Sequence, residues 1–238
     1  MHNKTGSHLF LKQIMEFEHQ LQKAERIRIY DKVGRPTHFR IPADMLPEDF
    51  DEEWKKLRKH LNDHGVDLDA CSPNVSSRDL YKFTLEELFF HEIENIAMNG
   101  IMMCFIYDEF HPDYVYENTR IAVDDCIHYI FDQHTFFDHH YAERIQLNQY
   151  TGLAKSELKL IVHNFKKKFD QIMPIHLGAS DCRIKDGNCL VRGLYEIVFM
   201  IRGKSLLKKG NWTVQSTYNN STGYWDIFNV QLSGIEIF

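Results

Sequence analysis

The residues with the clearest capacity for chemistry lie in the last third of the chain, where polar side chains alternate with very small ones. The strand register derived below places eight of them on one face of a sheet: His176, Gly178, Ser180, Gly193, Tyr195, Ser216, Tyr218 and Asp226. Small residues leave room for a ligand, and a few converging polar groups orient it. This face therefore predicts a ligand-binding pocket for a small apolar molecule.

The polar groups of this face also suit acid–base catalysis. An imidazole or a carboxylate held in a cavity can act as a general base, so His176 or Asp226 is the candidate base. Tyr195 or Tyr218 is then the candidate hydrogen-bond donor. An enzyme built this way is expected to be an isomerase or a dehydratase acting on a small apolar substrate.

A third interpretation is a structural scaffold in which the same space is filled. The filling groups would be aromatic side chains of preceding segments, namely Tyr129, Phe136 or Phe165. The interior discriminates among the three interpretations. An open cavity that contains His176 and Asp226 favours a ligand-binding protein or an enzyme, whereas an interior packed by aromatic rings favours the scaffold.

Fourteen histidines raise the question of a metal site, but their spacing does not favour one. Two groups of polar residues are the nearest candidates: His134, Asp138, His139 and His140, and Asp108, Glu109, His111 and Asp113. A helical zinc site needs a second histidine four residues after the first, and the segment that begins at His91 lacks it. The sequence also contains no phosphate-binding loop and no nucleophile motif. Neither a metal nor a cofactor is expected.

Composition narrows the class of protein. With 238 residues, 43% of them hydrophobic, the chain can form one large domain or two small ones. Its net charge of −6 disfavours nucleic-acid binding, which relies on clustered Lys and Arg. No stretch resembles a secretory signal or a membrane span, and the five cysteines are scattered. A cytoplasmic protein that binds neither nucleic acid nor a membrane is expected.

Alternating apolar residues and turn signals predict four long strands over 172–238. Asp186 and Gly187 supply the positive φ of a tight hairpin, and this turn sets Asp181 opposite Arg192 as a cross-strand ion pair. The other face carries no formal charge and is taken as the inner one. Its pairs are Cys182 with Val191, Ser180 with Gly193, Gly178 with Tyr195, and His176 with Ile197. Cys182 and Cys189 become diagonal neighbours there and are expected to be free thiols.

The next two turns set the remaining registers. A loop over 203–210 places Trp212 opposite Ile201. The turn over 219–223 places Asp226 opposite Ser216, but a bulge would shift this pairing by one residue and bring Trp225 to the inner face instead. Along 189–201 the expected inward residues are Tyr195, Ile197 and Phe199, and the expected outward residues are Arg192, Glu196 and Met200.

The first half of the chain predicts a separate α/β segment. Amphipathic helices are expected over 8–23, after Pro47 and from a capping box at Thr84 and Glu87. A hairpin over 26–41 and strands over 66–70 and 101–107 complete it. The polar run over 108–113 is the best boundary in the sequence. The predicted organisation is an N-terminal helix at 1–23, a small α/β domain at 24–111 and a second domain at 112–238.

The second domain predicts a helix over 116–131, a short strand over 141–147 and an amphipathic helix over 155–171 before its four strands. This order resembles the nuclear-transport-factor-2-like superfamily, the ketosteroid-isomerase-like cone, over residues 113–238. The matching features are the helix at 122–127, the helix at 161–169, the strand at 189–201 and the segment Gly210-Asn211-Trp212-Thr213-Val214. The resemblance implies an α+β fold with a curved antiparallel sheet packed on helices. Its members include isomerases, dehydratases, ligand-binding proteins and dimerisation modules, so it leaves function open.

The outer face of the predicted sheet is apolar in places. Alternate positions carry Ile175, Leu177, Leu194, Val198 and Met200, joined in the predicted register by Trp225 and Ile227. A stripe of this size is normally covered. A homodimer that pairs the two stripes is the expected cover, and the apolar helices of the first half of the chain are the competing one.

Overall fold

The computed structural model describes residues 14–15, 18–19, 21–22, 24–96, 102–132 and 140–236. The chain divides into two compact units, Met1–Pro112 and Asp113–Phe238. The predicted α+β class is confirmed, with a curved sheet in the second unit and an α/β segment in the first. No helix of the described residues has both the length and the apolar character needed to cross a membrane.

The first unit contains two small sheets and short helices. Its elements are β1 (Arg26–Arg28), α1 (Ile29–Lys32), α2 (Phe50–Asp63), β2 (Val66–Asp69), α3 (Ser77–Glu86), β3 (Glu92–Glu94), β4 (Met103–Ile106) and α4 (Tyr107–Phe110). Strand β1 pairs antiparallel with β3, and β2 pairs parallel with β4. The buried stripe predicted for the helix after Pro47 is confirmed, because Phe50, Trp54, Leu57 and Leu61 of α2 all lie in the core of this unit.

Two expectations for this unit are wrong. The hairpin over 26–41 does not form, because β1 pairs with β3 and the chain turns at once into α1. Helix α3 begins earlier than Thr84, since Ser76 and Asp79 form the capping box. Thr84 lies inside that helix, where its hydroxyl donates to the Leu80 carbonyl. The predicted helix over 8–23 lies largely outside the described residues.

The second unit places one six-stranded sheet against helices. Its elements are α5 (Tyr114–Arg120), a π-helix (Ile121–Ile127), α6 (His128–Phe131), β5 (Tyr141–Leu147), β6 (Tyr150–Leu153), α7 (Lys155–Lys166), β7 (Gln171–Lys185), β8 (Asn188–Ile201), β9 (Lys204–Asn219) and β10 (Tyr224–Leu232). The strand order is β6-β5-β10-β9-β8-β7. The sheet is mixed rather than fully antiparallel, because β10 pairs parallel with β5. Strand β6 was not predicted.

The core of the second unit lies between the helices and the inner face of the sheet. The inner face is defined by Cys189, Val191, Tyr195, Ile197 and Phe199 of β8, each of which is buried. The outward direction of Arg192 is confirmed by its exposure, while Glu196 and Met200 are half-buried on the same outer face. The alternation predicted for β8 is therefore correct.

Candidate functional site

The hairpin that joins β7 to β8 has the predicted turn. Asp186 and Gly187 both have positive φ, and Asp181 lies opposite Arg192 as expected. Two irregularities then shift the register, one between Pro174 and His176 and one between Ala179 and Asp181. Each bulge adds a residue to β7, so the segment between them presents the opposite face from the one predicted.

This shift corrects the placement of three candidates. His176 lies opposite Glu196 and Gly178 opposite Leu194, so both belong to the outer face, and Ser180 falls in the bulge with its side chain exposed. Leu177, predicted outward, instead lies opposite Tyr195 and packs against the core. His176 therefore does not point into the interior as a candidate base.

Gly193 is on the inner face as predicted, but no open space adjoins it. It lies opposite Trp212, whose indole ring covers it, and the indole nitrogen donates to the Leu194 carbonyl at 3.2 Å. The predicted opposition of Trp212 and Ile201 is wrong, because β8 and β9 are joined by a tight turn at Arg202 and Gly203. The group that fills the gap is therefore a tryptophan of the sheet itself.

The remaining polar candidates are separated from one another. The Tyr195 hydroxyl donates to the Ser233 carbonyl, and the Ser216 hydroxyl donates to Oδ1 of Asn118 at 2.7 Å. Burial raises the pKa of Tyr195 and so favours its neutral, donating form. Asp226 lies opposite Thr217 and accepts from Asn219 at 2.9 Å.

The bulge alternative for the last hairpin is the one that the structure adopts. Ile227, not Asp226, lies opposite Ser216, and Trp225 is buried. Trp225 packs its ring 5.4 Å from that of Tyr218 and 5.7 Å from that of Tyr114. The eight candidates thus do not line one cavity, and the interior positions among them are occupied by aromatic packing.

A groove does lie at another part of the inner face. It has a volume of about 560 Å³ and is lined by Phe165, Phe169, Phe199, Leu206, Lys208, Gly234, Ile235 and Glu236. The rings of Phe169 and Phe199 are 4.4 Å apart and form one wall. Sequence reasoning identified these phenylalanines only as core residues. The groove depends on the approach of the segment after β10, for which no sequence signal was available.

The outer face carries an exposed apolar stripe, defined here as Met173, Ile175, Leu194, Val198, Met200 and Leu207. Met173, Val198 and Leu207 lie side by side across β7, β8 and β9. Ile175, Leu194 and Leu207 are about half or more exposed, at 61%, 51% and 49%. Trp225 and Ile227 were predicted to join this face but are buried in the core instead.

The candidate metal groups do not assemble within the described residues, where no three His, Cys, Asp or Glu side chains come together as ligands. Asp108 accepts from the backbone of Cys71 and Ser72, and His111 contacts Glu87 at 3.0 Å. Of the group His134, Asp138, His139 and His140, the first three lie outside the described residues, as does Phe136.

No protein-family model matches this sequence, and a search of curated proteins gave no match. Solved structures do resemble part of the chain. An NTF2-like protein with a cystatin-like fold from Novosphingobium aromaticivorans matches with 6% identity and a TM-score of 0.31, over 40% of this chain and 66% of its own. A protein from Kribbella flavida matches with 10% identity and a TM-score of 0.34, over 48% and 81%.

A proposed ketosteroid isomerase from Shewanella frigidimarina matches with 17% identity and a TM-score of 0.32, over 39% of this chain and 75% of its own. The structural neighbours include NTF2-like proteins, the superfamily that the element order resembles. Because their identities and TM-scores are low, nothing about activity, ligand or partner is carried from them to this chain.

Proposed function

We propose that the second unit is a protein-interaction module that pairs with a second copy of the chain through the apolar stripe on its outer face. The observation that carries the proposal is the contrast between the two faces of the sheet. At the predicted pocket the inner face is filled, with Trp212 over Gly193 and Trp225 against Tyr218, whereas the outer face leaves Leu194 and Leu207 about half exposed.

The charges beside the stripe suit a second copy better than an unrelated partner. Glu196 and Lys209 lie opposite each other on β8 and β9, and their side chains form an ion pair at 2.8 Å. A negatively charged and a positively charged side chain therefore lie next to each other beside the stripe. A two-fold axis between them would set Glu196 of each chain near Lys209 of the other, which is the self-complementarity that an isologous interface requires.

Acid–base catalysis at the predicted residues has less support. His176 and Asp226, the candidate bases, belong to the outer face, and the Tyr195 hydroxyl is already committed to the Ser233 carbonyl. A general base must reach the proton that it removes, so a base and a donor on opposite faces of one sheet cannot serve the same substrate.

A second candidate function rests on the groove beside Phe169 and Phe199. Its volume of about 560 Å³ falls within the range of small-ligand sites. The walls combine phenylalanine, leucine and isoleucine side chains with two charged ones, since Lys208 places an ammonium group at the lining and Glu236 a carboxylate. We propose a small amphipathic molecule with an apolar body and an acidic group as the ligand class.

The pairing is tested by light scattering after size exclusion at micromolar concentration. The unmodified chain is expected to give twice the mass of one chain. Val198→Lys places a charge in the centre of the stripe and is expected to give the mass of one chain with an unchanged circular dichroism spectrum. Thr213→Lys, a half-buried position on the polar part of the same outer face, is the matched control and is expected to remain dimeric.

A single-chain mass for the unmodified protein would contradict the proposal and would favour the competing cover by the first half of the chain. Equal loss of pairing in Val198→Lys and Thr213→Lys would place the contact elsewhere.

A further inference from the structure

Two cysteines meet on the inner face near the turn between β7 and β8. Cys182 lies opposite Val191 and Cys189 opposite Ile184, so the two are diagonal neighbours across the strand pair. Both are free thiols, and their Sγ atoms are 3.6 Å apart. A thiol pair at this separation is in direct contact.

The geometry of the hairpin favours a bond between these sulfur atoms. A disulfide bond is about 2.05 Å long, so the sulfurs must approach by about 1.5 Å. The tight turn at Asp186 and Gly187 and the ladder on either side already hold the two strands in register. Rotation about the two Cα–Cβ bonds, together with a small local movement of the edge strand β7, would supply the approach while the strand pairing is kept.

We propose that Cys182 and Cys189 form a reversible disulfide, which makes this hairpin a dithiol oxidation site. The proposed disulfide is intramolecular and joins β7 to β8. It is independent of the proposed interface, because both cysteines lie on the inner face and the apolar stripe lies on the outer one.

The two cysteines have different roles in the reaction. Cys182 is half-buried on β7, the edge strand, where a small oxidant can reach it. Cys189 is 2% exposed, and burial raises the pKa of its thiol to about 12. Cys189 is therefore protonated at neutral pH and does not attack first, because the thiolate is the nucleophile.

The oxidant is a small disulfide such as oxidised glutathione. The Cys182 thiolate attacks one of its sulfurs, forms a mixed disulfide and releases one small thiolate. Cys189 then attacks the sulfur of Cys182 and loses its proton to the second small thiolate, which leaves as a thiol. The protein loses two electrons and two protons, and the small disulfide becomes two thiols.

Oxidation would also change a buried polar chain. Cys189 lies directly opposite Ser216 on β9, and the Ser216 hydroxyl donates to Oδ1 of Asn118 at 2.7 Å. A disulfide would therefore replace the Cys189 thiol beside this buried hydrogen bond. The disulfide would therefore link the edge strand β7 to β8 and change the surroundings of the Ser216–Asn118 hydrogen bond at the same time.

The experiment uses the full chain with Cys71→Ser and Cys104→Ser, which removes the two exposed cysteines and leaves three thiols of the five. After equilibration with mixtures of oxidised and reduced glutathione, thiols are counted under denaturing conditions. The expected count falls from three to one, and a peptide linked through Cys182 and Cys189 appears by mass spectrometry. Reduction restores both free thiols.

Variants separate the two roles. Cys182→Ser is expected to remain unmodified, and Cys189→Ala is expected to trap glutathione on Cys182. Circular dichroism checks that each variant folds. A stable glutathione adduct on Cys182 in the chain that retains Cys189, or an unchanged count of three thiols across the whole redox range, would overturn the proposal.

Discussion

The indole ring of Trp212 lies directly on Gly193, across the β8–β9 pair. A Cβ atom on Gly193 would overlap both the indole of Trp212 and the backbone oxygen of Gly178. A backbone oxygen in a strand cannot move aside without disturbing the ladder, so this glycine is required by the close approach rather than by its backbone angles. The pair explains why the predicted space beside Gly193 is closed.

Gly193→Ala is therefore expected to destabilise the second unit. Overpacking a filled core costs about 1–3 kcal/mol, and the loss is measured by urea denaturation. Gly178→Ala is the matched control on the adjacent strand. A Cβ there would meet only the exposed side chain of His176, at 2.7 Å, which can rotate away. Similar free energies of unfolding for the two variants would show that Trp212 does not fill the space.

The sequence predicted features that depend on local signals. Asp186 and Gly187 identified the turn and the pairing of Asp181 with Arg192, and the period of two identified the inward residues of β8. The bulges on either side of His176 have no such signal, because a bulge arises from the fit of one strand to its neighbours and to the core. Each bulge reverses the face, which is why His176, Gly178 and Ser180 were misplaced.

The expected loop over 203–210 between β8 and β9 was also wrong, but this error moved no side chain to the other face of the sheet. The tight turn uses positive φ at Arg202 as well as Gly203, a conformation that Asn or Asp would have signalled. The pairing therefore moved by an even number of positions, from Trp212 opposite Ile201 to Trp212 opposite Gly193. An even shift keeps every side chain on its face, so the inner face of β9 was still predicted correctly.

Ser216→Ala tests the buried hydrogen bond between β9 and α5. The Ser216 hydroxyl donates to Oδ1 of Asn118 at 2.7 Å, and both residues are buried. Its removal leaves the amide oxygen without this donor, so a loss of about 1–3 kcal/mol in the free energy of unfolding is expected. Thr217→Ala, the next residue and only half-buried, should cost less. If the two losses are equal, the bond to Asn118 does not stabilise the fold.

The pH dependence of stability reports on Lys166. Burial lowers the pKa of its ammonium group to about 8, below the ordinary value of 10.5. The unfolded chain then binds more protons between these two values, so this group makes stability rise with pH from about 8 to 10.5. Below pH 8 both states are protonated and the full cost of the buried charge is present.

Lys166→Met removes that cost but also the bond from Nζ to the Asp132 carbonyl at 2.7 Å. Urea midpoints of both proteins at pH 7 and pH 10 isolate the titration. The midpoint of the variant relative to the unmodified chain is expected to fall as pH rises. A constant difference across that range would mean that Lys166 titrates normally in the folded protein.

Adjacent residues at the start of β9 separate the two proposed functions. Leu206 shares the inner face with Phe199 and lines the groove, whereas Leu207 shares the outer face with Val198. Both leucines are exposed to a similar degree, at 44% and 49%, so a glutamate at either position should be tolerated by the fold.

Leu207→Glu is expected to give the mass of one chain by light scattering, and Leu206→Glu is expected to remain dimeric.

Binding to the groove is measured with anilinonaphthalene sulfonate, an apolar fluorescent anion. The measurement uses the Val198→Lys background so that the apolar stripe contributes little to binding. Leu206→Glu should reduce its affinity at least about tenfold, because a further carboxylate in a groove that Glu236 already lines repels the anion and loses hydration on binding. Leu207→Glu should leave it unchanged. If both variants lose pairing and also lose binding of the fluorescent anion, the substitutions disturb the β8–β9 hairpin as a whole. An unaltered affinity in Leu206→Glu would exclude the groove as the ligand site and leave the interface proposal intact.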